Sequence, residues 1–262
     1  MIAHETRVAP AWLALREPAD AAARSAELAG VLARRLGHGP LVIHDLGGGS
    51  GAMGRWLAPR LPGPQHWVVH DRDTDLLGLA LADPPTGATV QARCSDVTRL
   101  AEEDLAGADA VVASALLDLL TGDELRRLLA ACRGRPALLA LTVVGRVSLS
   151  PADPLDARIG AAFDAHQRRA TAAGRLLGPV AAAAAVAELH GSGASVLVRP
   201  SPWRLGAQDA GLTAAWLAGW IAAACEQEPA LAADAYRDRR LAQAFAGELA
   251  VTVDHADLLV LP

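Results

Sequence analysis

The chain contains no lysine and no asparagine, so all 24 of its basic residues are arginines. The lack of lysine excludes a Walker-type phosphate lysine, a Schiff-base lysine and the tyrosine–lysine pair of short-chain reductases. The net charge of -5 gives no electrostatic footprint for nucleic acid. We therefore expect a small-molecule substrate and no nucleic-acid partner.

Cysteine and aromatic residues are also scarce. The three cysteines lack the paired spacing of a zinc site or a disulfide framework, and no metal site is predicted. Aromatic residues make up 3% of the chain against 52% hydrophobic residues, so we expect a core of alanine, leucine and valine, with six tryptophans as bulky fillers or pocket walls. The first residues lack signal-peptide character and no apolar run reaches membrane-spanning length, which predicts a cytoplasmic protein without membrane contact.

One glycine-rich stretch, residues 41–57, organises the chain. An apolar run ends in Asp45, passes four glycines and a serine, and then takes up helical spacing, which predicts a strand, a tight turn and a helix. The turn glycines are Gly47, Gly48, Gly49 and Gly51. Glycine lets the backbone reverse and a ligand approach where a Cβ would collide, and the following helix points unpaired N–H groups at the turn. The stretch therefore predicts a nucleotide-binding turn.

Two classes of cofactor use such a turn. Gly49, Gly51 and Gly54 fit the G-x-G-x-x-G dinucleotide pattern, whereas the series that starts at Asp45 fits acid-x-G-x-G-x-G. The second pattern resembles motif I of the class I S-adenosylmethionine (SAM)-dependent methyltransferases. A carboxylate at Asp45 would compensate the positive charge of SAM and would repel a pyrophosphate. Asp45 therefore favours SAM over a dinucleotide.

The resemblance implies roles for residues that follow later strands. Asp71, after the second predicted strand, matches the acid that accepts hydrogen bonds from both ribose hydroxyls. Asp96 is similar to the residue that contacts the adenine amino group, with the Val97 backbone beside it. Ser114 and Ala115 match the segment that passes under the cofactor. SAM is the implied cofactor and S-adenosylhomocysteine (SAH) the product. The other predicted cofactor-binding residues are Arg16, as a partner of the methionyl carboxylate, and Arg72.

The order of elements predicts the fold class. Strand and helix alternate five times before residue 150, which indicates a doubly wound, mostly parallel α/β sheet. The resemblance implies seven strands with the last one antiparallel. We expect one domain, with an N-terminal helical cover at 1–38, a SAM-binding core at 39–150 and a substrate-side half at 151–262 that holds a helical insertion at about 200–247. Residues 11–36 are expected to form one or two helices, with the apolar stripe restarting at Pro18, and residues 156–173 are expected to form one helix.

The substrate side shows weaker patterns. His166 is the first candidate for a general base, because it falls in a helix after the fifth strand, and Asp118 is the second. A solvated helix face and a turn are the alternatives for these two. Trp12 and Trp203 are candidate walls of the substrate pocket, with a place in the core as the alternative, and Arg146 is a third candidate substrate-binding residue.

These features predict a SAM-dependent methyltransferase that transfers a methyl group to an O, N or C atom of a small molecule. An RNA- or protein-directed methyltransferase, a non-catalytic SAM-binding module and an NAD(P)-dependent oxidoreductase are the alternatives. Net acidity and the lack of a D-P-P-Y element after the fourth strand disfavour a nucleic-acid substrate. The oligomeric state is left open, with a homodimer as one candidate.

Overall fold

The computed structural model describes residues 8–262, so the segment on which the signal-peptide expectation rests lies outside the described residues. Two helices come first, α1 (Pro10–Ala23) and α2 (Ala26–Leu36). α1 runs unbroken through Pro18, because packing of α1 against the rest of the chain holds the helix across the missing hydrogen bond, so the two helices are not divided there. The break falls at Ser25, which caps α2 by accepting the Leu28 N–H at 3.2 Å.

Five parallel strands form most of the central sheet. They are β1 (Leu41–Leu46), β2 (Gln65–Asp71), β3 (Ala88–Cys94), β4 (Ala110–Ser114) and β5 (Ala137–Ser150). The helices that connect them are α3 (Ala52–Leu57), α4 (Thr74–Ala82) and α5 (Gly122–Ala131). Helices α2, α3 and α4 cover one face of the sheet and α5 covers the other. The predicted alternation of strand and helix is therefore confirmed except between β3 and β4, which are joined by two short 3-10 turns.

The second half of the chain completes the sheet from its far side. Its elements are α6 (Asp156–Gln167), the hairpin strands β6 (Ala170–Thr171) and β7 (Gly174–Arg175), α7 (Ala181–Gly191), β8 (Ser195–Pro200), β9 (Trp203–Leu205), α8 (Ala210–Gln227), α9 (Asp234–Phe245) and β10 (Ala250–Leu261). The strand order is β3-β2-β1-β4-β5-β10-β8, and β10 runs antiparallel to both neighbours. The predicted seven-stranded, mostly parallel sheet is confirmed, and β9 adds a short eighth strand beside β10.

Two expected elements differ from the structure. Residues 156–173 do not form one helix, because α6 ends at Gln167 and the chain reverses through the β6–β7 hairpin, where Gly174 adopts a φ of +128°. The fifth strand is predicted at 136–144, whereas β5 continues to Ser150 and projects beyond β4, whose pairing with β5 ends at Ala140. Leu141 and Gly145, with φ of +53° and +71°, mark register shifts that bend the strand there.

The projecting part of the sheet carries its own apolar core. The end of β5 pairs with the start of β10, β9 pairs on the other side, and α6, α8 and α9 pack on this ribbon. We call this assembly the cap. The cap lies beyond the sheet edge that holds the carboxyl ends of the parallel strands. Helix α1 packs against the cap. None of the helices in residues 8–262 has both the length and the hydropathy to cross a bilayer.

Candidate cofactor and acceptor site

The glycine turn follows β1 at the carboxyl edge of the sheet, where open α/β sheets bind their ligands. Gly47, Gly49 and Gly51 have φ of +65°, +53° and +83°, a backbone region that favours glycine. Gly48 is required for a different reason. A Cβ there would stand 2.7 Å from Cγ of Asp45 and 2.8 Å from Cγ1 of Val69. The turn therefore lies directly against the Asp45 carboxylate.

Asp45 is fully buried, and neither of its carboxylate oxygens has a hydrogen-bond partner among the described residues. Burial raises its pKa to about 7, and the positive charge of Arg24 opposes that shift. A buried carboxylate without partners is costly, and such groups in native proteins call for an explanation. A cationic ligand in the glycine turn would supply the missing partner.

Asp71 ties the end of β2 to the same turn. Its Oδ2 accepts the Gly49 N–H at 2.9 Å, and its Oδ1 accepts the Asp73 N–H at 2.9 Å. Each carboxylate oxygen has two lone pairs, so both can accept one further hydrogen bond. Asp71 is thus oriented by backbone groups and keeps the capacity to hold two hydroxyls.

Asp96 lies one strand further out, after β3. Its Oδ1 accepts hydrogen bonds from the Thr98 N–H at 3.0 Å and the Thr98 hydroxyl at 2.7 Å, and its Oδ2 is 3.3 Å from Arg99 Nε. It caps the short 3-10 turn that contains Val97. Arg72 lies close enough to Asp96 to influence its charge. The predicted adenine contacts therefore lie together next to Asp71.

The end of β4 is bent under the turn. Ala115 has a φ of +52°, rare for a residue with a side chain, and its N–H donates to the Ala140 carbonyl at 3.0 Å. The next side chain, Leu116, packs against Gly47. Ser114 accepts a hydrogen bond from Nη2 of Arg24 at 3.1 Å. The segment predicted to pass under the cofactor thus meets a second, unpredicted arginine.

Arg24 is a buried charged residue beside the turn that the sequence reasoning did not single out. It is only 5% exposed, its Nε and Nη1 atoms have no partners among the described residues, and burial lowers its pKa. Its guanidinium carbon lies 5.7 Å from the ring centroid of Trp56. A signal was available, because Arg16, Asp20 and Arg24 recur at spacing four and so share one face of α1.

The Arg16 side chain points at the cap. It donates to both oxygens of Asp20, at 2.9 and 3.1 Å, and its guanidinium carbon lies 5.1 Å from the ring centroid of Trp203. The Trp203 indole N–H also donates to Asp20, at 2.9 Å, and the Trp12 ring lies 6.3 Å from the Trp203 ring. The predicted residues Trp12, Arg16 and Trp203 are therefore brought together around an unpredicted aspartate.

The cover helix lies on the glycine turn. Leu13 comes within 3.5 Å of the position that a Cβ on Gly49 would occupy. Glu17 forms a two-pronged ion pair with Arg55 of α3, at 2.8 and 2.7 Å, and Arg55 also donates to the Ser50 carbonyl at 2.7 Å. These contacts hold α1 against the turn.

The three remaining predicted residues have different surroundings. Asp118 has an enclosed Oδ1 with no partner among the described residues, and burial raises its pKa to about 6. His166 lies on α6 with its Nε2 3.2 Å from Glu226 of α8. Arg146 is exposed and pairs with Asp254 at 2.9 Å. Arg16 influences the charge of Asp118, whereas the polar contacts of His166 and Arg146 lie within the cap.

Comparison with known proteins bears on the fold. No protein-family model and no curated protein matches the sequence. The structure is similar to the cyclopropane synthase MmaA2 of Mycobacterium tuberculosis, with a TM-score of 0.51 at 13% identity over 97% of this chain and 95% of that one. It also aligns with a SAM-dependent methyltransferase from Geobacter sulfurreducens in complex with SAH (TM-score 0.45, 14% identity, 97% and 98% coverage). A third match is the [4+2]-cyclase SpnF (TM-score 0.44, 16% identity, 89% and 79% coverage).

The strand order and the first of these likenesses define the class of fold. A sheet in the order β3-β2-β1-β4-β5-β10-β8 with β10 antiparallel is the class I SAM-dependent methyltransferase arrangement implied by the resemblance in motif I. The chain has the class I SAM-dependent methyltransferase fold. At 13% identity, the similarity to the cyclopropane synthase shows the fold alone.

Proposed function

We propose that this protein is a SAM-dependent methyltransferase that acts on a small molecule. The observation that carries the proposal is Asp45, a fully buried carboxylate with two unpartnered oxygens directly against the glycine turn. A pyrophosphate in that turn would meet a like charge, whereas SAM brings an ammonium group and a sulfonium. The unmet hydrogen-bonding capacity of Asp45 therefore fits SAM and opposes a dinucleotide.

The other residues of the turn fit the remaining parts of the same cofactor. Asp71 would hold the ribose hydroxyls with its two remaining lone-pair positions. Arg24 has two unpartnered guanidinium nitrogens for the methionyl carboxylate, a task that the sequence assigned to Arg16. Asp96 and Val97 would contact the adenine. When bound, SAM supplies an electrophilic methyl group on a positively charged sulfur.

The elements that cover the glycine turn support a small acceptor. α1 is fixed on the turn by Glu17 and Arg55, and the cap stands over the neighbouring strand ends. A nucleic-acid substrate would need an accessible basic surface, and the net charge of the chain is -5. We therefore propose a small molecule as the acceptor and no nucleic-acid or membrane partner.

The test combines a binding and a turnover measurement. Calorimetric titration with SAM is followed by incubation with SAM and a panel of small hydroxyl, amine and carbon nucleophiles, with SAH measured by mass spectrometry. We expect SAM binding and acceptor-dependent SAH. SAM binding without SAH over the whole panel, with bulk RNA and a protein extract included, would instead support a non-catalytic SAM-binding module.

A further inference from the structure

We infer that His44 and His70 are positioning residues that align the acids around the glycine turn through hydrogen bonds between their side chains. The inference rests on the proposed function, because these acids are the proposed SAM contacts Asp45, Asp71 and Asp96. Together with Ser95, the two histidines form a continuous series of contacts, which we call the histidine bridge.

Each member of the histidine bridge directly precedes one of the three acids in the sequence. The pairs are His44-Asp45, His70-Asp71 and Ser95-Asp96. The first pair lies in β1, the second ends β2 and the third follows β3. Successive side chains of a strand point to opposite faces, so both histidines lie on the other face of the sheet from the acids that they precede.

His70 connects the other two side chains of the bridge. Its Nε2 lies 3.0 Å from Nδ1 of His44, and its Nδ1 lies 3.0 Å from the Ser95 hydroxyl oxygen. A neutral imidazole has one donor and one acceptor, and a hydroxyl can be either, so the three groups can satisfy both contacts. The histidine bridge therefore joins β1, β2 and the segment after β3.

Burial gives the histidine bridge a fixed geometry. His44 and His70 are 2% and 1% exposed, so water does not compete for their ring nitrogens. Burial also lowers the pKa of both rings to about 4, and they are neutral at pH 7. A satisfied, buried polar network fixes the relative positions of the strands that carry it, whereas apolar contacts have no direction. Because the bridge is neutral, it adds no positive charge behind acids that would receive a cation.

Backbone hydrogen bonds connect the bridge to the glycine turn. The His70 carbonyl accepts the Gly48 N–H at 3.1 Å, and the Asp71 carbonyl accepts the Ser95 N–H at 2.9 Å. The Asp71 carboxylate also accepts the Gly49 N–H. A displacement at the end of β2 would therefore move the turn and the Asp71 carboxylate together. Loss of the His70 ring contacts should weaken SAM binding, although the ring lies on the other face of the sheet.

Calorimetric titration of His44→Leu and His44→Asn with SAM tests this inference. Leucine leaves Nε2 of His70 without its partner, whereas asparagine keeps a polar atom close to the position of Nδ1 and can still pair with His70. We expect His44→Leu to lose roughly 10-fold in SAM affinity and His44→Asn to stay within about twofold of the wild type.

A matched control separates positioning from general stability. Leu189 of α7 is buried and lies near Ala137 at the start of β5, at the opposite edge of the sheet from the glycine turn. Leu189→Ala leaves a cavity and should lower the unfolding temperature at least as much as His44→Leu does. Its SAM affinity, measured below both unfolding temperatures, should equal that of the wild type.

A second pair of variants carries less folding risk, because Ser95 is only half-buried and follows the strand. Ser95→Ala removes the hydroxyl that contacts His70, and Ser95→Thr keeps it. We expect a loss of roughly threefold in SAM affinity for Ser95→Ala and recovery of most of it in Ser95→Thr.

Wild-type SAM affinity in both His44→Leu and Ser95→Ala would overturn the inference. Equal losses in His44→Leu and His44→Asn, or an equal loss in Leu189→Ala, would overturn it as well. If His44→Leu does not fold, the comparison of Ser95→Ala with Ser95→Thr decides. Failure of the wild-type protein to bind SAM would instead overturn the proposed function.

Discussion

The cofactor side and the cap side of the site are built in different ways. On the cofactor side, the proposed ligand contacts come from a short turn and from acids at or just after the ends of β1, β2 and β3, and backbone groups orient Asp71. On the cap side, α1 contributes three side chains and β9 and β10 contribute one each, and long-range contacts among these side chains fix the geometry.

This difference determines what each side tolerates. A backbone turn allows almost no change at Gly48, since any side chain there would meet Asp45 and Val69. A cluster of side chains can lose one hydrogen bond and keep its shape, because Asp20 is held by both Arg16 and Trp203. Substitutions on the cofactor side should therefore weaken SAM binding, whereas those on the cap side should alter acceptor use and leave SAM affinity close to that of the wild type.

The largest effect is expected for Gly48→Ala. The added Cβ would stand 2.7 Å from the Asp45 carboxylate, so the turn must shift. We expect SAM affinity to fall roughly 100-fold, equal to about 2.7 kcal/mol, by calorimetry. The matched control is Gly78→Ala in α4, where nothing lies within 4 Å of the new Cβ. That variant should keep SAM affinity and gain about 0.5–1 kcal/mol in free energy of unfolding. Equal SAM affinity in both variants would contradict the role of the turn.

Asp45→Asn should weaken SAM binding and stabilise the free protein. The lost charged interaction is worth about 1.5–3 kcal/mol of SAM affinity. The pKa of Asp45 is about 7 in the folded state and about 4 in the unfolded state. Above about pH 7 the buried carboxylate is charged and destabilises the folded state, and between pH 7 and pH 4 the folded state is stabilised as it takes up a proton. The contribution of Asp45 should therefore raise the free energy of unfolding of the wild-type protein as the pH falls from 7 to 4, while SAM affinity decreases.

Thermal unfolding and calorimetry at pH 8 and pH 6 measure these opposite trends. In Asp45→Asn, this residue should no longer contribute to the pH dependence of stability or to the pH dependence of SAM affinity. Asp123→Asn on α5, which replaces an exposed carboxylate far from the turn in sequence, is the control. A pH dependence of SAM affinity that survives unchanged in Asp45→Asn would exclude Asp45 from the site.

The next largest effect is expected for Asp71→Ala, which should lose about 1–3 kcal/mol of SAM binding free energy. The variant removes the predicted ribose contacts and also the acceptor for the Gly49 N–H. Asp71→Asn keeps one oxygen acceptor and should lose less. Wild-type affinity in a folded Asp71→Ala variant, judged by its unfolding temperature, would remove this carboxylate from the cofactor side.

The smallest effect is expected on the cap side, for Trp203→Phe. This change deletes the indole N–H that donates to Asp20 while Arg16 still holds that carboxylate, so the free energy of unfolding should fall by about 1 kcal/mol. SAM affinity should stay within twofold, and KM for the acceptor should rise. A loss of SAM affinity as large as that of Asp71→Ala would erase the distinction between the two sides.

The two sides also differ in how much of each could be predicted from the sequence. The glycine turn, Asp45 and Asp71 could be predicted because a βα turn is local, and the acids follow their strands at once. The spacing of Arg16, Asp20 and Arg24 places Arg24 on one face of α1, but its burial and its contact with Ser114 depend on residues far away in the chain and could not be predicted.

Three differences between the expected and the observed fold have causes that the sequence pattern conceals. Pro18 indicates a helix break, but tertiary packing of α1 overrides that preference. Residues 168–175 are rich in arginine and alanine, a composition that fits a helix as well as an exposed hairpin, and the hairpin depends on Gly174, whose φ of +128° favours glycine. The length of β5 is concealed because its end is buried by the cap rather than by the main sheet.

The central claim is that the glycine turn binds a cationic cofactor, and calorimetric titration of the wild-type protein with SAM and with NADH at pH 8 tests it most directly. At this pH the Asp45 carboxyl is ionised, since its pKa is about 7. The account predicts one SAM site per chain and no heat from NADH. Binding of NADH together with no binding of SAM would contradict it.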